Sequence, residues 1–139
     1  GVLSQSNAIL SYIGRQYGLM PFDPFEAARH VAVMNAVEEL RAQANATGRK
    51  DEEKKRAARE AFAAGYFARW TGHLTRQIRG PFIGGDELSV ADLKVYVAMH
   101  SYREGVYDHI PANVLDPFPA IASLMQDVEV YPGVAEWRG

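Results

Sequence analysis

Cysteine is absent from the chain. A disulfide framework and a thiol nucleophile are excluded with it, and the composition fits a reducing compartment. Positive charge is not in excess: 15 Lys and Arg stand against 17 Asp and Glu, a net charge of -2. Nucleic acid or an anionic membrane surface would therefore find no electrostatic footprint, and neither is expected as a partner. No apolar run approaches the roughly 20 residues needed to span a bilayer. The opening residues lack the basic and apolar regions of a secretion signal. No stretch alternates apolar and polar residues long enough to argue for a strand, and no internal repeat is visible. His30, His73, His100 and His109 show no His-x-x-x-His spacing, so no metal site is expected. GPFIGGD, Gly80–Asp86, has glycines but no following Lys-Ser/Thr, which excludes a phosphate loop.

What is present reads as a single all-α domain. Its 139 residues are 47% hydrophobic and 23% charged, proportions from which a sizeable core can be built. A first helix is predicted from about Gln5 to Tyr17, with Ala8, Ile9, Tyr12 and Ile13 as its apolar face and Gly18 as its stop. Asp23-Pro24-Phe25-Glu26 has the order of a capping box with Pro at the first helical position. The helix it opens continues to about Ala44 on a stripe of Val33, Val37, Leu40 and Ala44. A third, long helix is predicted from about Glu52 to Arg79. It has an acidic start, a basic end and an apolar face of Ala63, Phe67, Trp70, Leu74 and Ile78. Further helices follow from Ser89 and from about Pro119 to Val130, with a last turn in the residues after Pro132.

The block FIGGDELSVADLKVY, Phe82–Tyr96, is the most informative. Ser89 is placed to cap a helix and Asp92 to reach back from its third position, with Leu88 and Leu93 as a hydrophobic staple. The residues after it are apolar almost all round, which predicts a helix at the centre of the domain. Lys94 interrupts them, and its long stem can snorkel to solvent. At the other end of the chain, QSNAI, Gln5–Ile9, puts two polar residues at a helix start. They serve either as a cap or as part of a site for an anion, since a helix N-terminus offers unpaired N–H groups and about half a positive charge.

QSNAI, the D-P-F-E helix start, FIGGDELSVADLKVY and FPAIASLMQDVEVYPGVAEW appear in the order found in cytosolic glutathione transferases. The chain resembles that family over nearly its whole length, closest to the sigma-like and related alpha, mu and pi group. The resemblance implies a helical bundle of the glutathione-transferase C-terminal type, with five to six helices. Residues 1–18 would be the last helix of the family's N-terminal thioredoxin-like domain and residues 19–139 the C-terminal all-α domain. The chain opens GVLSQS without an initiator Met and is expected to be part of a longer protein. The Tyr or Ser whose hydroxyl activates the glutathione sulfur in that family has no counterpart in it, nor do the family's strands.

Further expectations come with the resemblance. Gln5 and Ser6 would bind the γ-glutamyl end of glutathione. Asn35 stands where sigma-like members place an Asp that reaches across a dimer, and as Asn it brings no charge; its alternative is an exposed polar residue. Val37, Arg41, Lys94 and Ala98 would line a site for a hydrophobic electrophile, while Ser89 and Asp92 would be structural. Met34, Phe62 and Tyr66 lie on the face that the family uses for a two-fold homodimer. The implied function is cytoplasmic detoxification by conjugation of glutathione, which is a substrate rather than a resident cofactor. The alternatives are a non-catalytic assembly module of the elongation-factor-subunit type and a sigma-type prostaglandin isomerase.

Overall fold

A computed structural model describes residues 1–138, and among these every regular element is helical apart from one isolated bridge between Phe82 and Gly85. Helix α1 (Ser6–Gln16) leads into α2 (Pro24–Thr47), α3 (Glu52–Phe62), a π-helical turn (Ala63–Phe67), α4 (Ala68–Gln77), α5 (Val90–Arg103), α6 (Pro119–Glu129) and α7 (Pro132–Arg138). With α3, the π turn and α4 counted as one rod, there are six, and the all-α bundle is as expected.

Local chemistry explains most boundaries. Asp23 and Asp51 cap α2 and α3 by accepting from the backbone N–H of Glu26 at 2.9 Å and of Lys54 at 3.0 Å. The box expected at Asp23 is only half formed. The Glu26 carboxylate turns to Arg29, at 3.2 Å, and to Arg79, at 2.7 Å. Two guanidiniums outcompete one backbone N–H for a carboxylate. Arg29 also donates to the carbonyls of Gln77 and Ile83, at 2.9 and 2.7 Å, and so ties the loop between α4 and α5 onto α2. That loop doubles back so closely that a Cβ on Gly80 would lie 2.8 Å from the Gly85 carbonyl oxygen.

The long third helix is corrected in two respects: it ends at Gln77, and it is broken by the π turn at Ala63–Phe67. Phe62 and Phe67 are both buried. Five residues apart, they would point about 140° away from each other at the roughly 100° per residue of an α-helix. The wider π turn brings both rings inward, 6.0 Å apart. Local periodicity is blind to this, because the demand comes from the core.

Helix α5 lies at the centre, with Ala91, Val95 and Met99 fully buried, although Val97 is exposed on its outer side. The face read as apolar on α1 also faces outward: Ile9, Tyr12 and Ile13 are exposed, and the helix instead packs through Gly14, where a Cβ would stand 3.1 Å from the Val90 side chain. The backbone N–H of Val90 donates to the Leu19 carbonyl at 2.9 Å, which fixes the end of α1 against the start of α5. Met34 and Phe62, expected on a dimer face, are buried within the chain; Tyr66 is half-buried and stacks on Phe62.

Candidate functional site

Adjacent turns of the α2–α5 seam, with the start of α1 beside them, hold most of the residues singled out by sequence. At the start of α1, Gln5 is the N-cap residue with φ 74 and ψ 119, and its side chain makes no capping bond. A non-glycine residue in such a conformation carries strain of about 1–3 kcal/mol, and strain of this kind concentrates at ligand clamps. The first turn of α1 thus has backbone N–H groups that its cap residue leaves unanswered.

Ser6 is not a cap either. Its hydroxyl accepts a hydrogen bond from the Lys94 ammonium at 3.4 Å, and the same ammonium donates to the Asn7 side-chain oxygen. Lys94 also pairs with the Glu38 carboxylate at 2.6 Å, and only 7% of its side chain is exposed. The snorkelling alternative is therefore excluded, and the charge is held inside between three partners. Lys94's hydrogen bond to Glu38 holds that carboxyl below the usual carboxylate range against the upward push of burial. The Lys94 and Arg41 charges and the Ser6 hydroxyl act in the same downward direction. Asn7 completes the cluster by donating to Asn35 at 2.7 Å. Asn35 is thus exposed on α2 and faces α1 of its own chain.

Of the four residues expected to line an electrophile site, the structure brings three together. Val37 and Arg41 of α2 and Ala98 of α5 line one cleft, closed by Leu40, Ser101, Tyr102 and Tyr107, with a free volume of about 20 Å³. Val37 is fully buried, while Arg41 is half exposed and lies 3.8 Å from Glu38. Lys94 does not line this cleft; it sits one turn away along α5, in the polar cluster. Sequence reasoning missed Glu38 and Asn7. Glu38 is one of several charged residues on α2, and nothing local marks it as the partner of a lysine on another helix.

Ser89 and Asp92 form the reciprocal cap. The Ser89 hydroxyl accepts from the Asp92 N–H at 3.3 Å, and the Asp92 carboxylate accepts from the Ser89 N–H at 2.9 Å. Asp92 also accepts from the Ser89 hydroxyl at 2.7 Å and the Ile83 N–H at 2.8 Å. Every oxygen of this buried carboxylate is committed to the backbone or the cap, which assigns Asp92 to structure. Among the described residues no cluster of His, Asp and Glu could hold a metal ion, and no helix is long and apolar enough to cross a membrane.

The profile of the family described as glutathione S-transferase, C-terminal domain, matches residues 37–139. Among solved structures, a pi-class glutathione S-transferase of Onchocerca volvulus superposes with a TM-score of 0.79 at 18% identity, over 98% of this chain and 64% of its own. Rat hPGDS complexed with a quinoline gives 0.81 at 18%, over 98% of this chain and 66% of its own. Prostaglandin synthase D of Nilaparvata lugens gives 0.83 at 19%, over 98% and 67%. The chain spans less than two thirds of the first of these, and at such identities the likeness is one of fold.

Proposed function

This chain belongs to the glutathione S-transferase family, and we propose that the intact protein conjugates reduced glutathione to hydrophobic electrophiles, in the cytoplasm and as a two-fold dimer. The observation that carries the reading is the start of α1. Gln5 is held in a strained conformation there, and neither Gln5 nor Ser6 caps the helix. A γ-glutamyl carboxylate supplies what that terminus lacks: a negative charge for the exposed N–H groups, within reach of the Ser6 hydroxyl and the Gln5 amide. The exposed Ile9, Tyr12 and Ile13 support residues 1–18 as the closing helix of an upstream thioredoxin-like domain.

In this reading the upstream domain donates the hydroxyl that stabilises the glutathione thiolate. The residues of this chain do the positioning. The thiolate sulfur then forms a bond to the electrophilic carbon, and the leaving group departs with the displaced electron pair. The apolar partner lies over the mouth of the cleft of Val37, Arg41 and Ala98, whose free volume of about 20 Å³ is too small to take it in.

The test is glutathione conjugation to a generic aromatic electrophile by the longest form of the protein, with Ser6→Ala alongside. The mutant is expected to raise the glutathione KM about tenfold with a smaller change in kcat, as befits loss of one hydrogen bond to a charged group. Absence of both turnover and glutathione binding in the intact wild type would retire the transferase reading in favour of an assembly module.

A further inference from the structure

One buried side chain takes no part in the proposed chemistry and has an acceptor to spare. His30 lies on α2 and is only 1% exposed. Its Nδ1 stands 2.7 Å from the Glu26 carbonyl oxygen, the ring's single hydrogen bond among the described residues. A carbonyl only accepts, so Nδ1 carries the hydrogen and Nε2 of the neutral ring is a bare acceptor. Buried polar atoms are normally paired, because water is lost without replacement otherwise. Among the described residues the Tyr102 hydroxyl is the only fully enclosed side-chain polar atom left unpaired. His30 Nε2, equally unpaired, is therefore open to a space that something can enter.

The opening lies towards Gly84. That residue is exposed, and a Cβ on it would stand 3.0 Å from Nε2 and 3.1 Å from Cε1 of His30. The side chain that Gly84 lacks would thus cover this edge of the ring. His30 and Gly84 line one cavity of about 340 Å³, set between the turn after α1, the first turns of α2 and the loop before α5. Volumes of this order hold small molecules. Met20, Pro21 and Leu88 give the cavity an apolar wall, and its Glu26, Asp86 and Glu87 are acidic with no Lys or Arg beside them in the lining. Arg29 and Arg79 already answer Glu26. Asp86 and Glu87 are exposed and make no ion pair among the described residues.

We propose that this cavity binds a small primary ammonium with a short apolar body, whose N–H donates to His30 Nε2 while Asp86 and Glu87 hold its charge. The acceptor inside needs an N–H or O–H, and the carboxylates need a positive charge. A primary ammonium supplies both, whereas a hydroxyl supplies only the first and a quaternary ammonium only the second. The site lies at the opposite end of α1 from Ser6 and stands apart from the transferase reading. In the intact protein, phenethylamine, phenethyl alcohol and phenethyltrimethylammonium are titrated at about pH 8, above the histidine range and below that of primary amines. Nitrogen-15 NMR of the imidazoles reads His30 Nε2 directly. Phenethylamine is expected to move that resonance saturably and to bind about tenfold more tightly than either of the others.

Two variants address the two halves of the site. Gly84→Ala puts a methyl group over Nε2, and since Gly84 is not among the residues of positive φ the backbone accepts it. It should weaken phenethylamine binding about tenfold. Asp86→Asn/Glu87→Gln removes the exposed charges, should leave the melting temperature within a degree or two, and should weaken phenethylamine by about threefold or more while leaving phenethyl alcohol unchanged. Equal affinities for the three probes, or a phenethylamine titration that leaves His30 Nε2 unmoved, overturn the proposal. So does full phenethylamine affinity in a folded Gly84→Ala. Where Gly84→Ala does not fold, the carboxylate variant decides, and unchanged phenethylamine affinity in it overturns the proposal.

Discussion

Asp92→Ala is expected to lower the stability of the protein by about 3–5 kcal/mol, well beyond the roughly 1 kcal/mol of an ordinary helix cap. The difference lies in what the carboxylate holds. Asp92 is fully buried, and its oxygens accept from Ile83 N–H, Ser89 N–H and the Ser89 hydroxyl. Burial pushes its carboxyl above the usual range while these donors pull it back, so the bonds offset a desolvation cost. Truncation strands two backbone N–H groups, on Ile83 and Ser89, in residues that are themselves buried. It also releases the loop between α4 and α5 from the start of the central helix. With a urea m-value of about 1.5 kcal/mol/M, the midpoint should fall by about 2–3 M. A shift under about 0.7 M would mean that only a cap had been lost. Because Asp92 touches neither the α1 terminus nor the Tyr102 cleft, glutathione affinity measured well below the melting point should be unchanged. Lost affinity with intact stability would contradict the structural assignment.

The second large effect is an asymmetry between the partners of one ion pair. Glu38→Ala is expected to cost about 2–4 kcal/mol, because it leaves the Lys94 ammonium buried without a counter-charge. The figure lies toward the lower end for a broken buried pair because 40% of the Glu38 side chain is exposed and water can enter where it stood. Lys94→Met should cost about 1 kcal/mol or less, since the remaining carboxylate is within reach of solvent and the methionine stem fills the same space. The double mutant should recover most of the Glu38→Ala loss, with a coupling of about 1–3 kcal/mol in urea unfolding. Additive single effects would show that the pair contributes nothing as a pair. The pH dependence has a definite sign. The Glu38 carboxyl is held below its usual value of 4.5, chiefly by Lys94. Its contribution is therefore present above that unfolded value and is lost as pH falls through the lower folded one. The stability difference between wild type and double mutant should shrink with acidification only below about pH 4.5.

Local interactions were legible in the chain. The Ser89–Asp92 cap, the Asp23 N-cap and the stop at Gly18 each involve groups within four residues of one another. The same chemistry operates in any tertiary setting, so short-range sequence order is sufficient to find them. The burial of α5 was legible too, because an almost continuous apolar surface has one favourable place to go. From these the number, order and approximate ends of the helices followed, and with them the family pattern.

Tertiary structure alone decided the rest. Lys94 finds Glu38, Ser6 and Asn7 on two other helices, and whether a lysine snorkels or is held inside depends on partners that no local pattern names. The outward turn of Ile9, Tyr12 and Ile13, the burial of Met34 and Phe62, and the π turn that brings Phe67 beside Phe62 are likewise set by how helices share one core. A helical period says that a face is apolar but not which neighbour it meets. Tyr102 is the sharpest case. Nothing local marks it out, and only the tilted ring of Phe67 and the stacked ring of Tyr107 enclose it so that its hydroxyl has no partner among the described residues.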